Sequence, residues 1–221
     1  MAGKLIVIEG LDGSGKATQA KRLVAALLEK GISARGISFP NYDSNSSALI
    51  KMYLAGDFGT EPEAVNAYAA SCFYAVDRFA GMKQDWGRFY HSGGILIADR
   101  YTTSNAVHQS CKLPKEEWDE YLSWLYDFEY GKLELPIPDL VIYLRMSVDE
   151  NLMLMNERYQ GDETKKDIHE SNKNYLKSAH DAADYCAQKY SWSIINCMRN
   201  GKMRGIADIG AEILCLIETL Q

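Results

Sequence analysis

The chain has 221 residues, 47% hydrophobic and 24% charged, the balance of an ordinary globular protein and not of a disordered one. At this length one sizeable domain buries roughly 70–75% of the unfolded chain's surface, enough for a real core. A formal charge of −6 argues against general binding to nucleic acid or an anionic membrane, so any anion must be held at a local site.

In chain order, the opening MAGKLIVIEGLDG has four consecutive apolar residues before Glu9, too few for a signal peptide or membrane span. Leu5–Ile8 reads as a strand. Gly10-Leu11-Asp12-Gly13-Ser14-Gly15-Lys16 then fits G-x-x-x-x-G-K. Ala20, Leu23, Val24, Leu27 and Leu28 follow at helical spacing, with Gly31 as the stop. Ala34–Phe39 is the second strand. From Glu61 to about Phe89 a helix is expected with Val65, Tyr68, Ala69, Cys72, Phe73, Val76, Phe79 and Ala80 as its core stripe. Tyr74 and Arg78 fall away from that stripe, one turn apart. An aromatic above an arginine suits a planar polar ligand, although position alone favours an ordinary exposed face. Ile95–Ala98, Leu140–Leu144 and Ser193–Asn196 complete the strands. Ile206, Ile209, Ile213, Leu216 and Leu220 mark a C-terminal helix.

Strands alternating with helices predict an α/β fold with a parallel sheet covered on both faces. No repeat or Pro/Gly linker divides the chain, so a single domain over 1–221 is expected. Five cysteines (72, 111, 186, 197, 215) are odd in number and form no C-x-x-C pair, which points to a reducing cytoplasm rather than to zinc or disulfides.

The glycine-rich segment carries the clearest chemistry. Placed between a strand and an amphipathic helix, its backbone N–H groups can face one anion, the helix dipole assists, and Lys16 can reach terminal phosphates. The pattern breaks at the next position. Where Ser or Thr normally supplies a hydroxyl to Mg²⁺, this chain has Ala17. Thr18 is displaced by about 100° around the helix and is no simple substitute.

With these features together the sequence resembles the thymidylate kinases, P-loop kinases that make dTDP from dTMP and ATP. The motifs are IEGLDGSGKATQ (Ile8–Gln19), SFP (Ser38–Pro40), FYAVDR (Phe73–Arg78) and ADRYTTSNAVHQ (Ala98–Gln109), with a weaker ERYQGDETKKDIHE (Glu157–Glu170). They stand in family order over most of the first 170 residues. The resemblance implies a P-loop NTPase fold, a five-stranded parallel sheet flanked by helices. It also implies Mg²⁺ with ATP as donor, a cytoplasmic enzyme and a homodimer.

Residue by residue, it implies that Gly10, Leu11, Asp12, Gly13, Ser14, Gly15, Lys16, Ala17 and Thr18 surround the ATP phosphates. Asp12 also matches the carboxylate that accepts the sugar 3′-hydroxyl. Asp99 matches the residue near the metal and Arg100 the clamp on the acceptor phosphate, both at a strand end where ligands gather in open α/β sheets. Phe39 and Pro40 resemble the segment lining the monophosphate pocket. Tyr74 matches the aromatic that stacks on thymine and Arg78 the residue that reads the base edge. Ser104, Asn105 and His108 match the stretch along the sugar and base, where an aromatic often replaces His108. The segment 157–170 resembles a lid, with Arg158 as its charge-stabilising arginine.

Two family arginines are missing. One would follow Phe39-Pro40, where the chain reads Asn41-Tyr42. The other would precede the lid, where Met153, Leu154 and Met155 stand. Their loss leaves two further readings open: a deoxynucleoside kinase acting on thymidine, or a non-catalytic nucleotide-binding protein. A GTPase reading falls, because the only Asn-Lys pair, Asn172-Lys173, runs into Asn174-Tyr175 instead of Asn-Lys-x-Asp.

Overall fold

The computed structural model describes residues 2–159 and 172–218. Five strands form a parallel sheet: β1 (Lys4–Glu9), β2 (Ala34–Ser38), β3 (Ile95–Asp99), β4 (Leu140–Arg145) and β5 (Ser193–Asn196). Their order is β2-β3-β1-β4-β5. The central strand β1 pairs with β3 through Lys4↔Ile95 to Ile8↔Asp99 and with β4 through Ile6↔Leu140 to Glu9↔Tyr143. Every residue from Leu5 to Glu9 is buried, as a strand covered on both faces requires.

Side-chain alternation divides the core. On one face Ile6, Ile8, Ile97, Ile142 and Leu144 pack against α1 (Lys16–Glu29) and α9 (Ile206–Glu218), through Leu23, Leu27, Ile209, Ile213 and Ile217. On the other, Leu5, Val7, Leu96 and Ala98 meet Phe39, Met82, Trp86 and Tyr101. That second face also carries α3 (Ala67–Gly81), α5 (Thr102–His108), α6 (Trp118–Tyr126) and α8 (Lys173–Lys189). The short α2 (Ala48–Leu54) packs on α3, α4 (Gly87–His91) precedes β3, and α7 (Val148–Tyr159) follows β4. A two-stranded antiparallel hairpin, β6 (Met198–Arg199) with β7 (Lys202–Met203), precedes α9.

Local chemistry explains the boundaries. Asn66 caps α3 by accepting from the Ala69 N–H at 2.9 Å, and Asn172 caps α8 by accepting from the Tyr175 N–H at 3.0 Å. The helix α1 ends at Gly31, whose φ of 73° suits the expected stop. The long helix expected from Glu61 to Phe89 is instead interrupted. It starts at Ala67 and passes through a wide π-type turn, Met82–Trp86, before α4.

The face of α3 is a correction. Its inward side carries Ala67, Ala70, Ser71, Ala75, Asp77 and Arg78, whereas Tyr68 and Val76 of the expected core stripe are exposed. Small residues let α3 approach α5. The polar ones find buried partners: Ser71 Oγ lies 2.7 Å from Tyr121 Oη, and Arg78 meets Glu129. Hydrophobic periodicity cannot register a face that is buried because its polar groups are satisfied.

Candidate active site

The loop between β1 and α1 is built from backbone geometry. Gly10 has φ 155° and Gly15 φ 85°. A Cβ on Gly10 would stand 2.9 Å from the Leu144 carbonyl oxygen, so no other residue fits without displacing β4. Gly13 and Ser14 complete the curl, and Leu11 anchors it in the core beside Val107 and Tyr143. Asn151 of α7 donates to the Asp12 carbonyl at 2.9 Å, tying the loop to a helix that the motifs did not mark. Ala17 and Thr18 lie exposed on the first turn of α1.

Charged groups converge at the C-terminal ends of β1 and β3. Lys16 Nζ donates to the Leu11 carbonyl at 2.9 Å and stands 3.8 Å from Asp12 Oδ1. Arg100 adopts φ 68°, a conformation that L residues rarely take and that recurs at functional sites. Its backbone N–H donates to the Ile8 carbonyl at 3.2 Å. Its guanidinium donates to Asp12 Oδ1, to Ser104 Oγ at 3.3 Å and to His108 Nε2 at 3.1 Å. Arginine has no acceptor, so His108 Nε2 must be unprotonated and Nδ1 carries the hydrogen. Nδ1 lies 3.3 Å from the Tyr175 hydroxyl, which itself donates to the His108 carbonyl at 2.9 Å.

These neighbours shift each group's protonation. Burial disfavours the ionised form of Asp12, but Arg100, Lys16 and His108 outweigh it and hold this carboxyl well below the usual range. Burial and then Arg100 push Lys16 down, against the pull of Asp12, Asp99 and Glu9. For Arg100 burial is again overcome, by Asp12, Glu9 and Asp99, and its pKa rises. Burial and the Arg100 charge lower His108 to about 3, so its ring is neutral at physiological pH.

Glu9 is a further acid at this centre, and its oxygens are committed. They accept from the Gly10 N–H at 2.9 Å, Thr103 Oγ1 at 2.7 Å and Ser104 Oγ at 2.8 Å. Asp99 differs: its Oδ1 is buried with no donor among the described residues. An orphaned carboxylate oxygen at this strand end fits a cation, and Mg²⁺ readily completes its shell with water and phosphate oxygens. No group of three acidic, His or Cys side chains among the described residues forms a metal cage, so such an ion would depend on the nucleotide for ligands. The residues present fit Mg²⁺ delivered with ATP.

The expected base-reading residues occupy a buried wall beside this centre. Arg78 is 1% exposed and donates from Nε and Nη2 to Glu129 at 2.7 and 2.5 Å and from Nη1 to the Tyr101 carbonyl at 3.3 Å. It therefore lies inside the molecule, not on the outer helix face expected. Asn105 is buried beside it, donating to Glu129 Oε1 at 3.0 Å and the Ser71 carbonyl at 3.2 Å. Tyr74 packs at the edge of the Tyr53, Val65 and Ala70 cluster. Phe39 is a core side chain, its ring 6.0 Å from that of Tyr101 and 6.5 Å from that of Trp86, while Pro40 stays partly exposed. Asp77 braces the segment after them, accepting from the Asn41 N–H at 2.8 Å and Ser46 Oγ at 2.5 Å. The side chain of Arg158, and residues 160–170 of the expected lid segment, lie outside the described residues.

Comparison with known proteins decides the family. The thymidylate kinase family model matches residues 8–202. The chain belongs to the thymidylate kinase family. Thymidylate kinase of Mycobacterium tuberculosis is 31% identical over 176 residues, covering 79% of this chain and 78% of that protein. The probable thymidylate kinase of Pyrococcus horikoshii is 28% identical over 99% of this chain and 97% of its own. The solved thymidylate kinase of Candida albicans superposes with a TM-score of 0.71 at 22% identity, covering 99% of this chain and 92% of that one, a likeness of fold. Thymidylate kinases are nucleoside-monophosphate kinases, transferases that phosphorylate dTMP to dTDP, as the sequence motifs implied.

Proposed function

We propose that this thymidylate kinase transfers the γ-phosphoryl group of ATP to the dTMP phosphate through the convergence of Lys16, Asp12, Asp99 and Arg100. That convergence is the observation carrying the reading. Phosphoryl transfer needs no covalent protein intermediate; the residues position two polyanions and offset their charge. The curled backbone from Gly10 to Thr18 cradles the donor phosphates, and Lys16 exchanges its Leu11 carbonyl contact for them. Arg100, held by Asp12, Ser104 and His108, presents a preorganised cation to the acceptor phosphate. Asp12 stays ionised beside it and accepts the sugar hydroxyl. Tyr74, Arg78 and Asn105 line the base side, with Phe39 and Pro40 shaping the neighbouring wall. The charge-stabilising role of Arg158 rests on the family resemblance alone. Asp99 would hold Mg²⁺ with ATP oxygens and water, and that ion would neutralise charge between the phosphates.

The same reading includes a single domain, a cytoplasmic setting and a homodimer. The cytoplasmic setting rests on an odd number of cysteines that form no C-x-x-C pair. Tyr68 and Val76 on α3, and Leu49 and Met52 on the adjoining α2, are exposed apolar side chains that a second copy would cover. No helix among the described residues is long and apolar enough to cross a membrane. The missing arginine after Pro40 favours thymidine as the alternative acceptor, and calorimetry separates the two. dTMP should bind more tightly than thymidine, and Arg100→Ala should erase most of that difference. Equal affinity for both in the parent protein would assign the nucleoside reading.

A further inference from the structure

Behind the base wall lies a carboxylate that no motif marked. Glu129 is fully buried in a wide π-type turn, Asp127–Lys132, that continues α6. Such turns are rare and recur at functional sites. Its two oxygens hold four donors: Arg78 Nε and Thr102 Oγ1 on Oε2, both at 2.7 Å, and Arg78 Nη2 at 2.5 Å with Asn105 Nδ2 at 3.0 Å on Oε1. A buried ion pair adds little net stability over apolar residues of the same shape, so this one invites a role in specificity.

The consequences are directional. Glu129 occupies the Nε and Nη2 edge of Arg78, leaving Nη1 as the donor that no carboxylate holds; its contact is the long one to the Tyr101 carbonyl. Asn105 Nδ2 has two hydrogens and two acceptors, Glu129 Oε1 and the Ser71 carbonyl. Turning the amide over would set its oxygen against both, so the orientation is locked. Oδ1 is left with no donor among the described residues. The wall thus offers one donor, on Arg78, and one acceptor, on Asn105.

A 4-oxopyrimidine presents the complement, an accepting O4 beside a donating N3–H. A 4-aminopyrimidine presents the reverse, a donating amino group beside an accepting N3. We propose that Glu129 is a positioning residue that sets the donor–acceptor polarity of the base wall and so selects 4-oxopyrimidine over 4-aminopyrimidine nucleotides. The inference rests on the reading that Arg78 and Asn105 face the base.

Glu129→Gln tests it, because the nearly isosteric amide loses an acceptor oxygen and frees Asn105 to turn. The ratio of kcat/KM for dTMP to that for dCMP should fall about tenfold or more, since rejection by an unpaired buried polar group depends on a fixed partner. The change should appear in the KM of the two acceptors, with the KM for ATP unmoved. An unchanged ratio with both acceptors weakened alike would make Glu129 merely structural and overturn the proposal. Arg78→Ala, measured in parallel, separates the two levels. If it leaves the ratio unchanged too, the base reading itself fails; if it lowers the ratio while Glu129→Gln does not, only the role of Glu129 fails. Should Glu129→Gln not fold, the Arg78→Gln/Glu129→Gln pair leaves no charge uncompensated and is compared with Arg78→Gln alone. A lower ratio in the pair supports the hold on Asn105, and an equal one overturns it.

Discussion

Replacing His108 with phenylalanine tests how the phosphate-facing arginine is held. In the folded protein the ring is buried, faces Arg100 and is kept neutral, its pKa lowered from 6.5 to about 3. The unfolded chain, by contrast, takes up a proton at His108 once the pH drops below about 6.5. The unfolded state therefore binds the extra proton, and stability is lost as pH falls from 6.5 toward the folded pKa near 3. At 1.36 kcal/mol per pH unit, the loss attributable to His108 reaches about 2 kcal/mol at pH 5. Asp12, depressed below its ordinary 3.8, loses its own contribution only at lower pH and is present in both proteins. Urea denaturation at pH 7 and pH 5 should show the parent losing about 2 kcal/mol more than His108→Phe. Equal losses in the two proteins would mean that His108 accepts a proton in the folded state, and the Nε2 contact to Arg100 could not then be as described.

Lys16→Ala should leave the fold intact, because its Nζ caps one loop carbonyl, yet turnover should fall roughly a hundredfold or more, as for loss of one preorganised charge on a transferring phosphoryl group. Undiminished turnover in a folded mutant would remove the phosphate role of the loop. For the metal, Asp99→Asn should raise the Mg²⁺ concentration needed for turnover severely at saturating ATP, while Ala17→Ser shifts it only modestly. If serine at 17 instead switches on activity absent from the parent, the binding-only reading holds.

The strands were legible because a doubly covered parallel sheet demands continuous apolar runs. Ser193–Asn196 is bounded as expected, β1 extends one residue further at each end, and the other three differ by a single residue at the C-terminal end. The loop was legible because Gly10, Gly13 and Gly15 need conformations that other residues resist. The direction of α3 was not, since its apolar residues include exposed Tyr68 and Val76 while its inner face depends on partners far along the chain. Arg78 meets Glu129 across 51 positions, and only an acid between Phe128 and Tyr130 in an aromatic stretch hinted at burial. Glu9 carried a clearer sign, a carboxylate closing the apolar run Leu5–Ile8. Asn151, 139 positions from the loop it braces, carried none.

The central claim is that Arg100 and its neighbours receive a nucleoside monophosphate as acceptor. A coupled assay of ADP formation at fixed ATP, run across dTMP, dUMP, dCMP, dGMP and thymidine, tests it most directly. Turnover should be highest with dTMP, lower with dUMP, and slight with dCMP, dGMP and thymidine. ADP formation that is fastest with thymidine, or absent with every acceptor while ATP still binds, would contradict it.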